Sequence, residues 1–242
     1  MNSSAWYKMI FVLFLIFTFF IITALLGILA IKMIYHVSLS EIMVIIENPD
    51  KENIAVIKFF QAFQTIGIFI IPALLASVFM HNNSFRFLQL QKKPYLISIL
   101  LVLFSMIACI PSINFTAALN ARLNLPESMN TVEEKIQQLR DNYNQLTGLF
   151  LESVSIKDFF TNMLIMALLP AIGEELLFRG VFQRLFTDWT KSIHIGIIVS
   201  AFLFSFFHFE FYGFLPRFLL GVLFGYFLAW TSSLWIPMLA HF

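Results

Sequence analysis

The stretch PAIGEELLFRG, residues 170–180, places Glu174, Glu175 and Arg179 within two helical turns of an otherwise apolar run. His208 and His241 follow, each in or at the end of another apolar segment. An ionisable side chain inside a membrane span costs about 2.5–3.5 kcal/mol near its centre, so such residues mark functional sites by default. On a helix Glu175 and Arg179 are i,i+4 with the acid on the N-terminal side, the favourable order for an ion pair. Glu174 is rotated about 100° from that face and can point elsewhere. A structural ion pair therefore accounts for Glu175 and Arg179, but not for Glu174 or the two histidines.

Together, Glu174, His208 and His241 could do three kinds of chemistry. Glu174 could act as general base on a water that one histidine positions, while the other donates to a developing oxyanion. Two histidines and a glutamate also make a zinc-ligand set with an open fourth position. A proton relay in a transporter uses the same residue types. Residue types alone leave all three open. Pro170 and Gly173, just before the acidic pair, loosen the helix and let water or a backbone segment in.

The elements that must hold these residues are membrane helices. The chain of 242 residues is 60% hydrophobic, 17% aromatic and 12% charged, with 31 phenylalanines. A soluble core of this length needs far less apolar surface, so the lipid bilayer is the natural solvent. Apolar stretches of about 17–25 residues mark spans, and they fall at 9–34, 54–80, 95–115, 159–186, 193–209 and 214–230. A seventh opens at Ser233; its ten residues up to Phe242 reach about 15 Å, half of the ~30 Å hydrocarbon core, so it is expected to continue past the sequence given. The first segment, MIFVLFLIFTFFIITALLGILA, exceeds the ~7–15 residues of a signal-peptide core and lacks a clean cleavage site, which predicts a retained span. The expected fold is an all-α, polytopic transmembrane helical bundle of about seven spans, the last one truncated.

Ionisable residues concentrate in the last four spans, whereas the first three offer Lys58, Gln61 and Gln64, with Lys58 placed to snorkel. Half of the chain reads as scaffold and half as a site, which counts against a carrier built from inverted repeats. The polar stretch 116–157 holds an amphipathic pattern at Ile136, Leu139, Tyr143 and Leu146, with Ser128 or Asn130 as its cap. That pattern predicts a helix along the membrane, either a solvated connector or a lid. Short loops carrying Lys8, Arg86, Lys92, Lys93, Arg184 and Lys191 oppose Lys32, Lys51 and Arg217, which predicts a cytoplasmic N-terminus. The net charge of +1 argues against a nucleic-acid partner. Cys109, the sole cysteine, reads as a packed hydrophobe.

EELLFR, Glu174–Arg179, resembles the EExxxR motif of the CPBP family, the CAAX-protease and bacteriocin-processing intramembrane endopeptidases also called the Abi family. FSFFH, ending at His208, resembles its FxxxH motif, 33 residues beyond Glu175, and His241 matches the first residue of its HxxxN motif 33 residues later again. The resemblance covers residues 158–242, which are expected to form the catalytic core, with 1–157 as N-terminal spans plus the amphipathic helix in one integrated membrane domain. It implies an endopeptidase acting on membrane-associated protein or peptide substrates, with Glu174 activating water, His208 holding that water and His241 stabilising the oxyanion. Glu175, Arg179 and Phe204 would support the site. The family has been described both as zinc metalloproteases and as metal-independent glutamate proteases; the second description is favoured, and zinc is the possible cofactor under the first. The family's asparagine would fall at position 245, beyond Phe242. By likeness to bacterial members, the expected location is a bacterial cytoplasmic membrane. A non-catalytic membrane scaffold or a proton-coupled carrier using the same cluster is the alternative from another class.

Counted along their spans from Lys191, His208 lies about 25 Å deep, while Glu174 lies ~15 Å from Arg184 on the same side. For the two to meet, one helix must protrude or tilt. Gly221 and Gly225 in GVLFG suit close helix packing, and Trp230 and Trp235 read as interface anchors. Glu210 and Arg217 are expected to form a solvated loop pair.

Overall fold

A computed structural model describes residues 5–122, 128, 130–152 and 155–242. They form helices and connecting turns, with no strand among the described residues. Helix α1 is Ala5–Tyr35, α2 is Leu39–Glu47 and α3 is Ile54–Met80. The single turn α4, Ser84–Phe87, leads to α5, Leu96–Asn120, and to the amphipathic α6, Asn130–Leu151. One continuous helix, α7, runs over 156–190; α8 is Ile193–Phe206, α9 is Phe214–Thr231 and α10 is Trp235–His241. Lys191 (φ 57°) and Ser232 (φ 53°) turn the chain sharply after α7 and α9.

Among the described residues, four segments are long and apolar enough to cross a membrane: Ala5–Tyr35, Ile54–Met80, Leu96–Asn120 and Phe211–Thr231. The other three segments read as spans from the sequence are those that carry the polar cluster, and each departs from a simple span for its own reason. Helix α7 has the length but holds Glu174, Glu175 and Arg179. The 14 residues of α8 reach about 21 Å, short of the ~30 Å core, and the 7 residues of α10 run up to His241, next to the last residue given. Helix α2 has no counterpart among the expected elements. Ser38 caps it and Glu41 returns the bond to the Ser38 backbone N–H. That N–H holds the Glu41 carboxyl below its ordinary value.

Proline shapes the helices that meet at the site. π-helical turns at Ile66–Ile70 and Met163–Leu168 each end two residues before a proline, Pro72 or Pro170. Proline donates no backbone hydrogen bond and its ring crowds the carbonyl four residues back, so the helix widens there. A third π-helical stretch, Glu175–Gln183, begins at the acidic pair itself.

The largest apolar core joins both halves of the chain. Met9, Val12 and Leu15 of α1 and Ala73 and Ala76 of α3 pack with Leu176, Phe178, Val181 and Phe182 of α7 and Phe204 of α8. Close approach of α1 to α3 depends on Gly67, where a Cβ would lie 2.0 Å from Thr23 Oγ1 and 2.6 Å from Thr23 Cβ. Thr23 is β-branched and its hydroxyl already donates to the Phe19 carbonyl at 2.6 Å, so it has little room to turn away. Gly67→Ala is expected to destabilise the bundle by about 1–3 kcal/mol through overpacking. Thermal unfolding in detergent reads this, and an unchanged melting temperature would show that α1 and α3 part at no cost.

Helix α6 bears out the amphipathic pattern but starts at Asn130, so that residue is not its cap; positions 123–127 and 129, beside Ser128, lie outside the described residues. Leu139 and Tyr143 of its apolar stripe stay exposed. Lys58 does not snorkel into open solvent. It is buried, with Nζ 5.3 Å from the Phe150 ring centroid, and lines a polar cavity of about 300 Å³ with Lys51, Glu152 and Asp158.

Candidate active site

Helix α7 carries the acidic end of the site and the turn after α8 the first histidine. Helix α7 extends four residues past the 186 boundary expected from the sequence, to Thr190. Glu174 therefore lies 16 residues from that end, and His208 lies 15 residues from the start of α8, about 24 and 22 Å respectively. The extra turn of α7 brings the two depths into agreement. His208 itself sits beyond the last residue of α8, and Phe209 follows with φ 51°, a conformation uncommon for an aromatic residue. The chain turns hard at the histidine.

All six residues singled out by the motifs come together. Arg179 Nη1 donates to Glu175 Oε1 at 2.8 Å, with the two side chains 1% and 0% exposed. His241 Nδ1 approaches the same Glu175 oxygen at 3.0 Å. His208 Nδ1 lies 2.6 Å from the Phe204 carbonyl. A carbonyl only accepts, so this contact puts the hydrogen on Nδ1 and leaves Nε2 with its lone pair. Both histidines then direct Nε2 at one atom, Glu174 Oε2, at 3.7 Å from His208 and 3.9 Å from His241. That oxygen is buried and has no hydrogen-bond partner among the described residues.

Phe204 is the hub of the cluster. Its ring lies 5.0 Å from His208 and 5.8 Å from His241, and the Arg179 guanidinium carbon stands 4.3 Å from its centroid. A cation over an aromatic face in a dry site is held by the ring quadrupole. Phe224, which no motif flagged, completes the box 5.6 Å from His241 and 5.4 Å from Arg179.

The glycines of GVLFG do more than admit a neighbour. A Cβ at Gly221 would meet Ala201 at 3.1 Å, and one at Gly225 would meet Ile197 at 2.7 Å, so both let α8 lie close along α9. Their carbonyls also receive α7: Arg179 Nη2 donates to Gly221 O and Gln183 Nε2 to Gly225 O, each at 3.1 Å. Gln183 thus continues the series Glu175, Arg179, Gln183 at four-residue steps. The spacing was present in the sequence, but its partner carbonyls were not. Trp235 donates from Nε1 to the Leu90 carbonyl at 3.0 Å, and both it and Trp230 are exposed.

The zinc reading can be tested against these positions. Tetrahedral zinc with bonds of 2.0–2.1 Å needs ligand atoms about 3.4 Å apart. Glu174 Oε2 stands 3.7 and 3.9 Å from the two Nε2 atoms, and one oxygen of Glu175 is already engaged. Among the described residues no group of three His, Cys, Asp or Glu side chains is arranged to hold a metal ion. As placed, these residues do not fit a tetrahedral zinc.

Fold and site together define a polytopic helical membrane protein with a buried Glu/His centre. Residues 156–242 match the family model of the Rce1-like type II CAAX prenyl endopeptidases, which is the protease group the three motifs resemble. A curated relative, the uncharacterized protein YpbD of Bacillus subtilis (strain 168), is 34% identical over 88 residues, which make up 34% of this chain. The match spans 40% of the length of that relative. No solved structure matches the chain.

Proposed function

We propose that this protein is an intramembrane endopeptidase that hydrolyses peptide bonds of membrane-associated substrates by a glutamate-activated water, without a metal. The observation that carries the reading is the convergence of two imidazole Nε2 atoms on one buried, otherwise unpartnered carboxylate oxygen, Glu174 Oε2. Separations of 3.7 and 3.9 Å are too long for direct hydrogen bonds, and suit one water shared between the groups.

Each step follows from which atoms can donate. His208, with its hydrogen on Nδ1, accepts one O–H of the water at Nε2, and Glu174 accepts the other. Glu174 takes the proton as the water oxygen adds to the substrate carbonyl carbon, forming the C–O bond. His241 is differently placed, because the carboxylate at its Nδ1 favours the doubly protonated ring, and in that form its Nε2–H donates to the oxyanion. Collapse of the tetrahedral intermediate breaks the C–N bond, and Glu174 returns its proton to the leaving amine. Arg179 and Glu175 take no proton; they fix the His241 ring.

An apolar groove of about 550 Å³, lined in part by Phe17, Phe69, Phe178 and Phe182, reaches Phe207 and Phe209 on either side of His208. It offers a membrane-borne chain a route to the centre. The lipid bilayer and a membrane-associated peptide or protein are the partners, in a bacterial cytoplasmic membrane with the N-terminus inside.

The test is cleavage of a membrane-peptide library by the protein in lipid nanodiscs, read by mass spectrometry with and without a strong chelator. Cleavage is expected to survive chelation with an unchanged rate. Loss of activity on chelation and its return with zinc would replace the metal-free mechanism by a metalloprotease.

A further inference from the structure

Arg217, in the first turn of α9, is only partly exposed and sits on a turn tied to α8 three residues before His208, not on an outer solvated loop. Its side chain is 21% exposed, and its Nη2 donates to Glu210 Oε2. Nη1 of the same guanidinium is buried and has no hydrogen-bond partner among the described residues. A charged donor kept out of water and left unmatched is costly, and proteins keep such a group where something is to be bound.

The segment that presents Arg217 is built to hold it still. Asn120 Nδ2 donates to the Phe211 carbonyl at 2.7 Å, and Asn120 Oδ1 accepts from the Leu215 N–H at 3.2 Å. Ser205, on the same helix that leads to His208, donates to the Phe214 carbonyl at 2.6 Å. A Cβ at Gly213 would lie 2.7 Å from Glu210 Oε2 and 3.0 Å from Arg217 Nη2, so the ion pair rests against a glycine that leaves it room. Glu210 thereby fixes one nitrogen of the guanidinium and leaves the other available.

We propose that Arg217 Nη1 binds a carboxylate of the substrate, next to the bond that the Glu174 centre cleaves. The proposal rests on the endopeptidase reading and names the anionic group that such a substrate carries. A neutral carbonyl would satisfy the donor, but a carboxylate gains charge assistance, which roughly doubles the strength of the hydrogen bond. The group is either the free C-terminus of a short tail or an Asp or Glu side chain.

The experiment separates binding from cleavage by using the Glu174→Gln protein in lipid nanodiscs. Three peptide libraries are captured and read by mass spectrometry: free C-terminal acids, the same peptides amidated, and the same peptides with Asp and Glu replaced by Asn and Gln. Carboxylate-bearing peptides are expected to be enriched about ten- to hundredfold, and adding Arg217→Met is expected to remove that preference. Arg217→Lys should retain part of it, and Gly213→Ala, which displaces the ion pair, should weaken it; these two keep the test open if Arg217→Met fails to fold. Loss on amidation identifies the C-terminus, and loss on Asn/Gln replacement identifies a side chain. A preference that survives Arg217→Met, or no preference at all, overturns the proposal. A preference without cleavage by the unsubstituted protein keeps the carboxylate site and overturns the endopeptidase reading alone.

Discussion

Arg179→Met is expected to destabilise the protein by about 3–5 kcal/mol, the usual cost of removing one partner of a buried ion pair. The environment supports the upper part of that range. Glu175 is 0% exposed and would keep its carboxylate in an apolar site with only His241 to face it. The substitution also removes the bond to the Gly221 carbonyl and the cation above Phe204. Replacing both partners, Glu175→Gln with Arg179→Met, is expected to recover much of the loss, because no charge is then stranded. Activity is not expected to return with it, since Glu175 also holds His241 Nδ1. Thermal unfolding in detergent measures both variants. A loss below about 1 kcal/mol for the single substitution would place the pair in contact with water.

Glu174→Gln is expected to lower cleavage roughly 10³-fold or more while leaving the melting temperature within a degree or two of the parent. Glutamine matches the shape of the side chain and cannot take the proton from water. Stability is spared because Glu174 Oε2 has no protein donor to lose. Glu174→Asp should recover little, since it withdraws the oxygen from two Nε2 atoms already 3.7 and 3.9 Å away. A scaffold that only binds a partner's helix would show the reverse, with binding intact and no turnover in either protein.

Much of the site could be read from the sequence because its residues are types that a bilayer excludes. Glu174, His208 and His241 stand out against apolar surroundings, and helical spacing alone separates Glu174 from the Glu175–Arg179 pair. The helical class and the first three long spans follow from hydropathy for the same reason. What the sequence concealed depends on where chain segments meet. Gln183 looks like an ordinary polar residue until the Gly225 carbonyl appears opposite it. Arg217 and Glu210 read as a surface pair because the turn that carries them is held by Asn120, some 90 residues earlier, and by Ser205 of α8. The depths of His208 and Glu174 differ when counted from Lys191 and Arg184 because α7 continues through Arg184 to Thr190, and charge at a helix end does not fix where the helix stops. The apolar stripe of α6 shows in the sequence, but not that Arg140 of the same helix lies over Tyr212 at 4.8 Å, beside the same turn.

The most direct test compares the unsubstituted protein with Glu174→Gln in lipid nanodiscs, following new peptide termini by mass spectrometry under identical conditions. The expected result is discrete cleavage products from the unsubstituted protein and none from the equally folded Glu174→Gln variant. Equal cleavage by the two proteins would contradict the assignment of Glu174 as the base that activates water.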